Sequence, residues 1–278
     1  MGVEPGCQLL PTQRVFGLDF VSCASVEQVV CEILAQIRNN TGEWKCVVTP
    51  NVDHLVRYSR FDREARVSQD ATIVLPDGMP IVWASRLLAR PLRSRLTGSD
   101  LFEKLWPELG RQRIATVVVA SAPAVADQLE REHSVLRCVV PGQFELENEL
   151  EVNEIVQMID QAVEEIDAQV VIIGVSMPKH HLLAALLKLR WSHNATPPMV
   201  LLLGAAPLFY LGLERRAPQW MQQSGLEWVH RMAGDPRRMA RRYLIDDVEF
   251  GRLVWREWRN QRRSSNHVKR GLPIDRSR

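Results

Sequence analysis

The sequence predicts an α/β fold: a Rossmann-like, mostly parallel sheet with helices on both faces, followed by a C-terminal helical basic appendage. Three observations carry this expectation. Between about residues 44 and 204, short apolar runs alternate with stretches of helical periodicity, the pattern of βαβ units wound around a parallel sheet. Several of the runs are rich in Val and Ile with little polar alternation, as strands covered on both faces require. After Leu213 the strand signal stops, and spacing compatible with helices takes over in a segment dense in Arg and Trp.

The elements follow in order. The first forty residues suggest a short strand at Arg14–Phe20 and a helix at Val26–Ile37. Strands are then expected at Lys45–Thr49, Thr72–Leu75, Ile114–Ala120, Leu136–Val140, Val170–Val175 and Met199–Leu203. Helices are expected between them at Val52–Val67, Ile81–Leu88, Leu101–Leu105, Ala124–His133, Glu149–Ile166 and Pro178–Arg190. In the fifth of these helices Val152, Ile155, Val156, Ile159, Val163 and Ile166 form a single stripe at helical spacing. Beyond the sheet, Pro218 and Pro236 suit first-turn positions. Over Phe250–Arg263 a helical projection sets Phe250, Leu253, Val254 and Trp258 opposite Arg252, Arg256, Arg259 and Arg263. The expected division is a core over 1–214, an Arg/Trp-rich appendage over 215–263 and a disordered tail over 264–278.

At 278 residues, 46% hydrophobic and 24% charged, the chain has the profile of an ordinary globular protein, which excludes collagen-like and disordered classes. Its five cysteines, an odd number without a CxxC pair, argue against structural zinc or a disulfide framework and for a reducing compartment. The N-terminus lacks a basic segment followed by an apolar run, so a secretory signal is not expected. Gly6 stands where a myristoylation motif wants Ser or Thr. The longest uncharged stretch, Trp191–Leu213, is interrupted by Pro197, Pro198, Gly204, Pro207 and Gly212, and reads as a buried strand entering a loop rather than a membrane span.

The net charge of +2 hides an asymmetry. Residues 215–278 carry 16 of the 35 Lys and Arg but 7 of the 33 Asp and Glu, so a segment at +9 follows a body at −7. Fifteen of those cations are Arg, and the same segment holds four of the eight tryptophans. Arg beside Trp suits a surface that meets anionic head groups next to an apolar phase; a solvated helical tail or packing against the body would show the same composition.

In an open parallel sheet, ligands bind beyond the carboxyl ends of the strands, and three loops there hold candidate chemistry. Thr49-Pro50-Asn51 runs from a strand into a helix, where a hydroxyl and free amides can hold an anion or a sugar hydroxyl, although the same residues also serve simply as caps. Pro76-Asp77-Gly78 places a carboxylate on a tight turn, suited to accepting a proton or to turn formation alone. In Arg95-Leu96-Thr97-Gly98-Ser99-Asp100 a guanidinium precedes a capped helix, a geometry suited to a diphosphate or to a surface ion pair.

Taken together the strings are more specific. Thr49-Pro50-Asn51-Val52-Asp53, Pro76-Asp77-Gly78-Met79-Pro80-Ile81-Val82 and Arg95-Leu96-Thr97-Gly98-Ser99-Asp100-Leu101 occur in order. They are followed by Arg216-Ala217-Pro218-Gln219-Trp220-Met221, Gly225-Leu226-Glu227-Trp228 with Arg231, and Asp235-Pro236-Arg237-Arg238 through Leu244. This series, over about 45–245, resembles the WecG/TagA/CpsF family of bacterial glycosyltransferases, glycosyltransferase family 26. The resemblance implies an enzyme of surface polysaccharide or cell-wall polymer synthesis. It would move a sugar from a UDP-sugar to a polyprenyl-diphosphate-linked saccharide with inversion at the anomeric carbon. Asp77 is then the candidate base, and Arg95 the cation that meets the charge growing on the departing UDP. Thr49, Asn51 and Gly78 would line the sugar or acceptor pocket. Arg231, Arg238 and Arg241 are the matching positions in the appendage, either as substitute cations for the donor or as contacts to lipid phosphate.

The chain contains no DxD pair, so neither metal nor other cofactor is expected. Two strings depart from the family pattern. Ser121-Ala122-Pro123 stands in place of a Gly-rich turn, and Met177-Pro178-Lys179-His180-His181 in place of Gly-x-Pro-Lys-Gln-Glu. The second makes Lys179 and His180 candidate donor contacts. The expected setting is the cytoplasmic face of the plasma membrane, attached peripherally to an anionic surface, with no nucleic-acid partner and a homo-oligomer left open. The competing reading is a non-catalytic relative that binds lipid-linked glycan or partner enzymes.

Overall fold

The computed structural model describes residues 10–218, 221 and 248–262. The chain builds an eight-stranded sheet from β1 (Thr12–Val15), β2 (Leu18–Val21), β3 (Cys46–Val48), β4 (Ile73–Val74), β5 (Thr116–Val119), β6 (Leu136–Val139), β7 (Val170–Ile173) and β8 (Met199–Leu202). The strand order is β1-β2-β4-β3-β8-β7-β5-β6. The β1/β2 pair is antiparallel and the other pairings are parallel. The helices are α1 (Val26–Arg38), α2 (Val52–Tyr58), α3 (Asp62–Gln69), α4 (Met79–Leu87), α5 (Gly98–Arg111), α6 (Pro123–Glu132), α7 (Glu149–Ile166), α8 (Lys179–Arg190) and α9 (Ala206–Tyr210). A last helix, α10, covers 248–262.

Each central strand buries both faces, because successive side chains point to opposite sides. Val48, Val74, Val117, Val119, Val171, Ile173, Val200 and Leu202 enter one core with α2, α4, α7 and α8. Val47, Ile73, Val118, Val170, Ile172, Met199 and Leu201 enter the other with α1, α5, α6 and α9. The expected α/β fold with helices on both faces is therefore what forms.

Four local expectations are corrected. The single strand over Arg14–Phe20 is a hairpin: Phe16 and Gly17 take φ of +52° and +77° between β1 and β2, the two positive values that a tight hairpin turn requires. The single helix over Val52–Val67 is two, interrupted at Ser59–Phe61, where the Ser59 hydroxyl donates to the Val56 carbonyl at 2.7 Å. The helix expected to end at Leu105 runs to Arg111 through Pro107. An interior proline costs about 3 kcal/mol, and burial of Leu101, Phe102, Leu105, Trp106 and Leu109 along one face offsets it. The loop expected after β8 contains the short helix α9.

The apolar side of α10 turns inward: Phe250, Val254 and Trp258 pack on the first core, with the Phe250 and Phe16 rings 5.6 Å apart. Arg60–Glu249 at 2.9 Å and Arg90–Glu257 at 3.3 Å fix its two ends. Arg60 and Arg90 follow α2 and α4, the helices that run back from the carboxyl ends of β3 and β4, so α10 lies toward the end of the sheet opposite the loops that bear Asp77 and Arg95. Trp255 is left exposed, with the Arg259 guanidinium 4.7 Å from its ring centre. The tail over 264–278 lies outside the described residues. Among the described residues, no helix is long and apolar enough to cross a membrane.

Candidate active site

The site forms where the loops after β3, β4 and β8 meet the start of α5. Asn51 caps α2, its side chain accepting from the His54 amide at 3.2 Å. The next loop is stitched to this one: the Asp77 amide donates to the Pro50 carbonyl at 3.1 Å. Gly78 follows at φ +136°, a conformation that side chains with a Cβ rarely adopt, and it begins α4. The third loop closes on the second, with the Leu96 amide donating to the Pro76 carbonyl at 3.0 Å. Asp77 and Arg95 therefore sit on either side of one backbone hydrogen bond, although eighteen positions separate them in the chain.

Side chains complete the arrangement. The Thr97 hydroxyl caps α5 by accepting from the Asp100 amide at 3.0 Å. The first amide of that helix, Gly98 N–H, points at Asp77 Oδ2 at 3.5 Å. The positive end of a fourteen-residue helix thus faces the carboxylate. Gly98 leaves little room for a side chain: a Cβ there would stand 3.0 Å from Thr49 Oγ1. Thr49 itself is buried, and its hydroxyl faces the Leu202 carbonyl of β8 at 3.5 Å.

Asp100 and Arg216 join this group. Arg216 donates to Asp100 Oδ1 at 2.7 Å and to Thr97 Oγ1 at 3.0 Å. Burial alone would raise the Asp100 carboxyl, but the Arg216 hydrogen bond, the Thr97 contact and the charges of Arg216 and Arg95 outweigh it and hold the carboxyl below its ordinary range. Arg95 is thereby placed within electrostatic reach of Asp100. The resulting edge carries one carboxylate facing a helix start, a second carboxylate bonded to Arg216, and Arg95 within electrostatic reach of it. Such an edge can take a proton from an alcohol and meet a developing phosphate charge.

A profile described as the glycosyl transferase WecG/TagA/CpsF family matches residues 13–264. The chain belongs to this family. Among its relatives, a Bacillus spizizenii protein named N-acetylglucosaminyldiphosphoundecaprenol N-acetyl-beta-D-mannosaminyltransferase is 22% identical over 237 residues, covering 85% of this chain and 88% of that protein.

In this WecG/TagA/CpsF glycosyltransferase the two departing loops lie on neighbouring strands. Ser121-Ala122 leads from β5 into α6, which begins at Pro123 without a side-chain cap. The other loop enters α8 through a cis Met177–Pro178 bond. The Lys179 ammonium rests 4.2 Å from the centre of the Phe144 ring. His180 is 3% exposed and donates from Nδ1 to the Val175 carbonyl at 2.9 Å. Its ring stands edge-on to His54, 5.8 Å between centres, and 4.6 Å from the ring of His181. His181 Nε2 meets the Tyr58 hydroxyl at 2.9 Å and the Ser68 hydroxyl at 3.1 Å. Burial, then the neighbouring His54, pushes His180 down to about 3, and burial with its imidazole neighbours pushes His181 well below the usual histidine range. His180 and His181 are neutral groups packed between α8 and α2. Among the described residues no group of three His, Cys, Asp or Glu side chains is arranged to hold a metal.

The arginines expected to contribute from the appendage, Arg231, Arg238 and Arg241, lie outside the described residues. A cavity of about 220 Å³ lined by Phe16, Leu55, Tyr58, Leu253 and Arg256 sits under α10, at the opposite edge from Asp77. Sequence reasoning assigned no role to Asp100, Arg216 or His54. The available signal for the first two was their opposite charge in two of the strings that carried the resemblance.

Proposed function

We propose that this glycosyltransferase moves a sugar from a UDP-sugar to a polyprenyl-diphosphate-linked saccharide by a single inverting displacement. The observation that carries the reading is the meeting of Asp77, the α5 start and Arg95 at one edge of the sheet. Inversion in one step needs a base on the acceptor side and charge stabilisation on the leaving-group side, and these groups supply both. Asp77 takes the proton of the attacking hydroxyl as the new C–O bond forms. Arg95 meets the negative charge that develops on the diphosphate as the old bond breaks. Thr49, Asn51 and Gly78 shape the floor and wall where the sugar or acceptor lies. Lys179 and His180 act on the donor side, His180 by holding the loop after β7 through the Val175 carbonyl.

The relative's name supports an acceptor with N-acetylglucosamine on an undecaprenyl diphosphate, and N-acetylmannosamine as the sugar transferred. The absence of a DxD pair supports transfer without a resident metal, with arginines in the role that a divalent ion plays elsewhere. The Arg/Trp-rich segment supports peripheral attachment to an anionic membrane, with Arg231, Arg238 and Arg241 bringing further cations to donor or lipid phosphate.

The test offers the purified full chain a panel of UDP-sugars with a polyprenyl-diphosphate N-acetylglucosamine acceptor, with and without chelator, and follows UDP release and the mass of the lipid product. UDP release that requires acceptor and survives chelator is the expected result. Binding of the acceptor without release of UDP from any donor would favour the non-catalytic reading instead.

A further inference from the structure

The two guanidinium bonds of Arg216 join a segment that follows the sheet to the cap of a helix that begins in the crevice. We propose that Arg216 and Asp100 form a latch that positions the base: the pair sets the start of α5, and through the Gly98 amide it sets the Asp77 carboxylate. This deepens the reading of Asp77 as base and rests on it.

A continuous series of contacts links Arg216 to Asp77. Arg216 reaches Asp100 Oδ1 at 2.7 Å and Thr97 Oγ1 at 3.0 Å with its two terminal nitrogens. Thr97 Oγ1 also accepts the Asp100 amide at 3.0 Å, so one hydroxyl is shared between the cap and the latch. The next residue, Gly98, directs its amide at Asp77, and a Cβ on it would stand 3.0 Å from Thr49 Oγ1. Both members of the pair are largely shielded, with side chains 22% and 34% exposed. A charge-assisted pair with two fixed donors holds direction as well as distance. Asp100 does a second job in this account. Arg216 bonds it directly and the charge of Arg95 acts on it from farther away, so its carboxylate offsets part of the positive charge at the edge where a diphosphate would leave. Arg216 need touch neither substrate: it is a positioning residue, and the chain runs from it directly into the segment that bears the remaining arginines of the family strings.

The experiment is a kinetic double-mutant cycle on the full chain, using UDP release with saturating donor and acceptor. Arg216→Ala is expected to lower kcat by about 10- to 100-fold, the size of effect that an ångström-scale misplacement of a catalytic group produces. The KM values should change less than kcat. Arg216→Lys, which keeps a cation but lacks the planar fork that presents two nitrogens in fixed directions, is expected to fall between Arg216→Ala and wild type. Asp100→Asn, close in shape and milder for folding, is expected to lower kcat in the same direction. The decisive readout is the background: in Asp77→Asn the same Arg216→Ala change is expected to cost less than twofold, because the group it positions no longer acts as a base. Equal losses in both backgrounds would overturn the latch and leave a simple structural tie. Wild-type kcat in Arg216→Ala and Asp100→Asn would overturn it outright. Wild-type kcat in Asp77→Asn alone would instead remove the base on which the inference rests, so the two failures are distinguishable.

Discussion

Acidification from pH 7 to pH 5 is expected to weaken the fold through His180. In the unfolded chain its imidazole titrates near 6.5, whereas burial in the fold pushes it down to about 3. At pH 7 both states are neutral and the group contributes nothing to the pH dependence. Below 6.5 the unfolded chain binds a proton that the folded chain refuses, so stability falls by about 1.4 kcal/mol per pH unit until the folded value is reached. Between pH 7 and 5 this amounts to about 2 kcal/mol for His180 alone, and His181, lowered in the same direction, adds to it. Most carboxylates remain ionised at pH 5, so the window isolates the imidazoles. Asp100, whose carboxyl is depressed, withdraws its contribution only at lower pH. The assay is urea unfolding at both pH values, followed by circular dichroism, for the full chain and for His180→Gln. Gln is neutral and can still donate to the Val175 carbonyl. Wild type is expected to lose at least about 2 kcal/mol and the variant about 2 kcal/mol less than wild type. Equal losses in the two proteins would refute the assignment of the effect to His180.

Two substitutions probe the frame around the site. Gly98→Ala places a methyl 3.0 Å from Thr49 Oγ1, so the Thr49 side chain or the start of α5 gives by a few tenths of an ångström beside Asp77; turnover is expected to fall about tenfold, measured as UDP release, with a small change in melting temperature. Phe102→Ala empties a buried site stacked on Trp106, 5.2 Å between ring centres; a loss of about 3–5 kcal/mol is expected in urea unfolding.

The sheet was legible because its strands announce themselves twice: each apolar run is short, and each lies between two helical periodicities. Val170–Ile173 and Thr116–Val119 stand out, since burial on both faces leaves only Thr116 polar in the two runs. Helix α7 ends where the sequence placed it, because its apolar stripe stops at Ile166 and Asp167 then takes a left-handed conformation. The break between α2 and α3 was not legible, because neither Gly nor Pro marks it and the capping hydroxyl of Ser59 is an ordinary helix residue in sequence. The β1/β2 turn was hidden for a different reason. Phe16 is a poor residue for positive φ, and it stands there with its ring packed against Phe250, a contact from the other end of the chain.

At the site, the rule that ligands gather at the carboxyl ends of parallel strands pointed to the loops bearing Asp77 and Arg95, and the Leu96–Pro76 backbone hydrogen bond joins those loops. The placement of Lys179 on Phe144 could not be foreseen, because it depends on the packing of α8 against a separate segment, and the bond of His180 back to the Val175 carbonyl depends on how the intervening loop turns. The Asp100–Arg216 pair spans 116 positions; nothing local to either residue names its partner. The inward turn of α10 resolves a choice that its amphipathic pattern left open, since an apolar stripe fits a bilayer or a protein core equally well.

The most direct test of the central claim is the turnover of Asp77→Asn with UDP-N-acetylmannosamine and a polyprenyl-diphosphate N-acetylglucosamine acceptor, alongside its melting temperature. If Asp77 takes the acceptor proton, kcat is expected to fall about 10²- to 10⁴-fold while the fold is retained. Turnover at the wild-type rate would contradict the account.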